Sequence, residues 1–188
     1  MRNRIDPVDL QERYLDDVFR YVSAFVRPEA EAEDVTMEVF HAAFAALSKL
    51  RPDTPPRLWL LGIARRKVAD SLRKTYRRRE SPLTDLAQEA DFNRLDEAAA
   101  VRQVLAELSE EHRNALVLKY LNELCTEEVA VTLGRSTAAT NSLLQRARHA
   151  FFARATDLYD PIASPASNPD SVDLPKPKTE PCLKGGTP

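Results

Sequence analysis

An all-α fold of two small helical modules is what the sequence predicts, and three observations predict it. Apolar residues recur at three- and four-residue spacing almost everywhere up to residue 152, the period of a helix with one buried face. The chain holds only 4 glycines and few β-branched alternations, so strands and tight hairpins lack their signals. Two compositional breaks divide it, an acidic stretch from Glu80 and a proline-rich one beyond Ala155. The expected organisation is a first module over 6–79, a flexible acidic linker over 80–97, a second module over 98–154 and a disordered tail over 155–188.

The first helix opens where Asp6 can cap and Pro7 can take the first helical position, with Leu10, Tyr14, Val18, Val22 and Phe25 as its buried stripe and Pro28 as its end. The second spans about Glu29 to Leu50: Glu29, Glu31, Glu33 and Asp34 suit the positive end of the helix dipole, and Val35, Val39, Ala43 and Leu47 form the stripe. After Pro52, Pro55 and Pro56 a third helix runs from Arg57 to Arg79, apolar first and basic last. Helical pattern resumes near Arg94, with Leu95, Ala98, Leu105 and Leu108 on one side. Ser109 can cap a helix through Leu121, Thr126 a short one through Leu133, and Ser136 a last one reaching about Phe152, with Gly134 in the turn. The tail takes 7 of the chain's 13 prolines in its last 33 residues, a composition that does not pack a core.

Several function classes are excluded at once. The longest apolar run, Leu58 to Ala64, is far short of the roughly 20 residues needed to span a bilayer. The N-terminus lacks the apolar core of a secretory signal, so no membrane insertion and a cytoplasmic location are expected. Cys125 and Cys182 form no CxxC pair or Cys/His cluster, and His41, His112 and His149 are scattered over three helices. No metal, cofactor or catalytic residue is therefore expected, and no phosphate loop or nucleophile elbow is present to suggest an enzyme. Cys125 is read as a small buried thiol, with a redox pairing to Cys182 as the lesser alternative.

The net charge of −2 hides a strong asymmetry. From Arg65 to Arg79 there are eight basic residues against Asp70 alone, while Glu80 to Glu97 holds six acids and one base. A helix that joins an aromatic and apolar face to such a cationic run suits melted DNA, where cations track phosphates and planar groups hold unstacked bases. Trp59, Arg65, Arg66, Lys67, Arg73, Lys74 and Arg77 are the candidates there, with Trp59 alone fitting simple core as well. Short helix, glycine turn and longer helix over Thr126 to Phe152 is the geometry that lays a recognition helix in the major groove. With Leu144, Ala147 and Phe151 inward, Ala138, Ser142, Gln145, Arg146 and His149 turn outward, flanked by Asn141 and Arg148. Ser136, Thr137, Asn141, Ser142, Gln145, Arg146, Arg148 and His149 are accordingly the candidate duplex readers.

These residues carry a family resemblance. Glu33-Asp34-Val35-Thr36-Met37-Glu38-Val39-Phe40, then Trp59-Leu60-Leu61-Gly62-Ile63-Ala64-Arg65-Arg66 through Asp70 and Leu72-Arg73, resemble region 2 of a bacterial RNA polymerase sigma factor of the extracytoplasmic function group. Leu108-Ser109-Glu110-Glu111-His112-Arg113, Glu128-Val129-Ala130, Leu133-Gly134 and Gln145-Arg146-Ala147-Arg148 resemble its region 4. The likeness spans about residues 8 to 153 in the family's order. It implies core RNA polymerase as partner, through the β′ clamp helices and the β flap, with Asp34, Met37, Glu38 and Phe40 as contacts on the second helix. It further implies promoter DNA, minus-10 melting by the third helix, minus-35 reading by the last, and an anti-sigma factor as a further partner. The chain departs from the family's pattern at Met37 (usually Gln), Arg66 (Asn), Ala139-Thr140 (Thr-Val), Asn141 and Leu143 (often basic). Two rivals stand beside this reading: a sigma-like adaptor that titrates an anti-sigma factor, and an ordinary helix-turn-helix regulator. The cationic run argues against the first, since a decoy has no need of phosphate-binding charge, and the second leaves that run unexplained.

Overall fold

The computed structural model describes residues 5–80 and 97–159, which fall in two compact units, and among them every regular element is helical. In the first unit α1 (Pro7–Ser23), α2 (Glu29–Ala46) and α3 (Pro56–Glu80) each pack against the other two. Asp6 caps α1 by accepting from the Val8 N–H at 2.8 Å, with Pro7 beside it at the first helical position. Pro28 does not end α1, which stops at Ser23; it stands at the start of α2, where its carbonyl accepts from Glu31 and Ala32. The expected second helix is one α-helix to Ala46 followed by a 3₁₀ turn over Leu47–Lys49.

Burial in this unit is wider than a single stripe. α2 buries Val35, Val39 and Ala43 as expected, and also Ala32, Thr36 and Phe40, because it has neighbours on two sides. Thr36 is tolerable inside because its hydroxyl donates to the Ala32 carbonyl at 2.8 Å. α3 contributes Leu58, Leu60, Leu61, Ala64 and Val68, whereas Tyr14, Phe25 and Leu47 are only partly covered. Arg57 pins the start of α3 to α1: its Nε and Nη2 meet the two Asp17 carboxylate oxygens at 2.8 Å each, a two-pronged pair that fixes orientation.

The second unit holds α4 (Glu97–Glu107), α5 (Glu110–Leu116), α6 (Thr126–Leu133) and α7 (Thr137–Tyr159), with α7 packing on each of the other three. Ser109 caps α5 through the His112 N–H. The helix expected to reach Leu121 changes its winding at Val117, where a π turn runs to Leu121 and the Asn122 N–H reaches the Val117 carbonyl. Glu123 then takes a left-handed φ of 56°, a turn no glycine signals, and Leu124 folds back to 1% exposure. Arg113 donates to the Ala106 carbonyl, tying α5 to α4; burial holds its guanidinium below the ordinary value, partly offset by Glu110.

Thr126 is not the cap of α6. Cys125 is, and the Glu128 carboxylate reaches back to accept its backbone N–H at 2.9 Å, the return half of a capping box. Cys125, expected to be a small buried thiol, is partly buried, and the redox pairing weighed for it involves Cys182, which lies outside the described residues. Gly134 ends α6 at φ +67°, with Arg135 N–H closing onto the Ala130 carbonyl. An added Cβ there meets nothing within 4 Å, so the cost of Gly134→Ala is conformational alone. Urea denaturation of the second unit is expected to show it about 1–2 kcal/mol less stable; an unchanged midpoint would contradict the strain.

The helical class holds throughout the described residues. Of the linker expected over 80–97, Glu80 ends α3 and Glu97 begins α4, while residues 81–96 and most of the tail from 155 lie outside the described residues; α7 continues to Tyr159, past the Phe152 expected. No helix among the described residues is long and apolar enough to cross a membrane.

Candidate nucleic-acid interface

The outer face of α2 carries Asp34, Met37 and Glu38, all exposed, at positions that share one side of a helix. Met37 leaves 38% of itself in solvent, which is unusual for its type. Phe40 does not join them. It is 1% exposed, with its ring 6.1 Å from that of Phe44, so it supports the helix from inside and presents no contact surface.

On α3 the predicted cations are not equivalent. Arg65 is half-buried, and its Nε is shielded from solvent without a hydrogen-bond partner. Arg66 is exposed and lies back along its own helix, Nε to the Gly62 carbonyl at 3.3 Å. Lys67 reaches across to α2, where its Nζ stands 3.2 Å from Glu38 Oε2. Arg73 pairs with Asp70 at 2.6 Å, and Lys74 and Arg77 stand exposed. Both ion pairs are solvated, so each is worth about 0–1 kcal/mol and neither withholds its cation from a phosphate. Trp59 is partly buried beside the fully covered Leu58 and Leu60, which leaves part of its ring accessible.

The second unit has the short helix, turn and long helix that the spacing predicts. Ser136 caps α7 through the Ala139 N–H at 3.2 Å, and Thr140 donates back to the Ser136 carbonyl. Thr140, Leu143, Leu144 and Ala147 form the buried side of α7, against Ala115 and Leu133. Leu143 at 1% exposure explains one departure from the family's pattern, since a basic residue at that place would have to be buried. Ser136, Thr137, Ala138, Asn141, Ser142, Gln145, Arg146, Arg148 and His149 are all exposed. Ser142 and Arg146 are preset by their own helix, Ser142 Oγ to the Ala138 carbonyl and Arg146 Nε to the Ser142 carbonyl at 3.3 Å.

Two neighbouring cations stand in similarly solvated ion pairs: Arg135 meets Glu111 at 2.6 Å and Arg154 meets Glu107 at 3.5 Å. Thus the exposed face of α7 from 137 to 149 is polar and cationic with no acidic residue along it, a surface fit for phosphates at its edges and base edges between. No group of three or more potential metal ligands occurs among the described residues. One residue that the sequence reading passed over is Tyr76, an aromatic ring 65% exposed among Arg73, Lys74 and Arg77. Its signal, an aromatic inside a basic run, was present.

Comparison with known proteins matches residues 10–78 to sigma-70 region 2 and residues 98–150 to sigma-70 region 4. The chain is 32% identical over 146 residues to the ECF RNA polymerase sigma factor SigC of Mycobacterium tuberculosis (strain CDC 1551 / Oshkosh), covering 74% of this chain and 77% of that protein. Its fold is similar to that in a structure of CnrH in complex with the cytosolic domain of CnrY (27% identity, TM-score 0.62, 84% of this chain and 89% of that chain). It is also similar in fold to that in a co-crystal structure of the sigma factor RpoE with the anti-sigma factor NepR from Bartonella quintana (20% identity, TM-score 0.63, 77% and 92%).

Proposed function

The chain belongs to the sigma-70 family of RNA polymerase sigma factors, in its extracytoplasmic function group, and from that premise we propose how its own residues divide the work. It binds core RNA polymerase and directs initiation at specific promoters. The observation that carries this is the presence of both family regions on one chain, in the family's order. An adaptor or a simple helix-turn-helix regulator has no use for the cations of α3, and this chain keeps them exposed from Arg73 to Arg77.

The α2 face of Asp34, Met37 and Glu38 docks on the β′ clamp helices, acids meeting cations around one apolar contact. Phe40 takes no part beyond holding α2 in place. On α3, Arg65, Arg66 and Lys67 hold the melted minus-10 strand next to the accessible edge of Trp59, and Arg73, Lys74 and Arg77 follow its phosphates. The binding energy of the splayed strand offsets unstacking, so opening proceeds without ATP. Through α7, Asn141, Ser142, Gln145 and His149 read base edges upstream while Thr137, Arg146 and Arg148 hold phosphates; Ser136, spent on capping, sets where the helix begins. The second module meets the β flap. An anti-sigma factor is the remaining partner, in keeping with the Bartonella quintana sigma factor seen with NepR.

Substituting Met37→Lys tests the docking face. Because Met37 is exposed, the fold should be untouched, while affinity for core polymerase is expected to fall roughly tenfold, as for a truncated interface anchor. Equal binding of wild type and variant in a titration of labelled core enzyme would remove α2 from the docking surface.

A further inference from the structure

Up to residue 77 the last buried residues of α3 are Val68 and Ser71, yet the helix continues to Glu80. Arg73, Lys74, Tyr76 and Arg77 on this overhang are all exposed, so packing does not account for their types. Positions 73, 76 and 77 share one side of the helix, and Tyr76 leaves 65% of its surface in water. Arg73 has Asp70 beside it, while none of the ion pairs among the described residues involves Lys74 or Arg77. An exposed ring flanked by uncompensated cations is the complement of a nucleotide: the ring offers a stacking face to a base, and the cations meet its phosphates.

We infer that Tyr76, with Lys74 and Arg77, is a second base-stacking site for unpaired DNA, separate from the segment between Trp59 and Lys67. Ten residues of helix divide Arg66 from Tyr76, about 15 Å at the helical rise, so the two cannot hold the same nucleotide. A strand gripped at both ends of α3 is instead held over several nucleotides, which favours an extended single strand over a stacked duplex. The inference rests on the sigma-factor reading and adds Tyr76 to it.

The test uses the full chain bound to core polymerase and a promoter fragment on which that complex initiates, prepared either fully paired or with the minus-10 segment mismatched. Tyr76→Ala is expected to weaken binding to the mismatched fragment roughly tenfold, with Tyr76→Phe staying within about twofold of wild type. Tyr76→Leu, apolar but without a π face, should behave as Tyr76→Ala does. All three variants should unfold at the wild-type temperature, because the residue lies outside the core. Unchanged binding by Tyr76→Ala, rescue by Leu equal to rescue by Phe, or an equal loss on the paired fragment under conditions where it stays closed would each overturn the inference. A wild-type complex that initiates on no fragment would instead overturn the sigma-factor reading, and the second site with it.

Discussion

Leu61→Ala is expected to lower the stability of the first module by about 3–5 kcal/mol, the largest effect of any substitution considered for the fold. Leu61 is fully buried on α3, between α1 and α2, each of which packs on the others. Removing its branched end leaves a cavity in a close-packed core whose Leu60, Val39 and Tyr21 are also at 0% exposure. For a domain of this size each kcal/mol shifts the midpoint by roughly 4–8 °C, so a fall of about 12 °C or more is expected in the melting of the first module. The second module should melt as before. Val131→Ala is the control, since Val131 is 63% exposed and its loss should move neither transition. A drop of a degree or two for Leu61→Ala would mean that the three-helix core is looser than the structure describes.

The second expected effect is on DNA and not on stability. Arg146→Ala removes an exposed cation whose one hydrogen bond among the described residues is to its own helix, at Ser142. Binding of the polymerase complex to upstream duplex should weaken for all sequences alike, and the slope of log K against log salt should shrink by about 0.9, the value of one phosphate contact. Gln145→Ala should do the opposite: little change in salt slope, but a relaxed preference at one base pair, worth about 1–3 kcal/mol of discrimination. Measuring both variants against a randomised upstream element separates the two roles. If Arg146→Ala relaxed sequence preference and left the salt slope alone, the division between phosphate and base contacts on α7 would be reversed.

Much of the fold was legible because the local signals agreed with one another. Asp6-Pro7 starts α1, Ser109 starts α5, Ser136 starts α7 and Gly134 ends α6, each through the backbone bond its residue type is suited to. What the periodicity could not show was how many neighbours a helix has. Phe40 reads as one more residue on a face that also bears Met37, and only the packing of α2 against both α1 and α3 draws it inside. The same cause covers Thr140 and Leu143 on α7. The π turn after Leu116 and the left-handed Glu123 carry no composition signal; they lie beside Leu118 and Leu124, which are buried.

For the candidate site the chemistry was legible and the pairing was not. Which residues are cationic, and on which helix, follows from the sequence; that Lys67 meets Glu38 across 29 positions, or Arg57 meets Asp17 across 40, does not. The Lys67–Glu38 pair joins α2 to α3, the helices proposed above to dock on polymerase and to hold the melted strand.

The central claim, that this chain loads core RNA polymerase onto promoters, is tested most directly by run-off transcription with the purified chain, core enzyme and upstream fragments of its own genome. Discrete transcripts that require the chain, and that vanish when the minus-10 segment of the fragment is replaced, are the predicted result. Polymerase that stays silent on every fragment, with the chain bound to it or not, would contradict the account and favour an adaptor that only engages an anti-sigma factor.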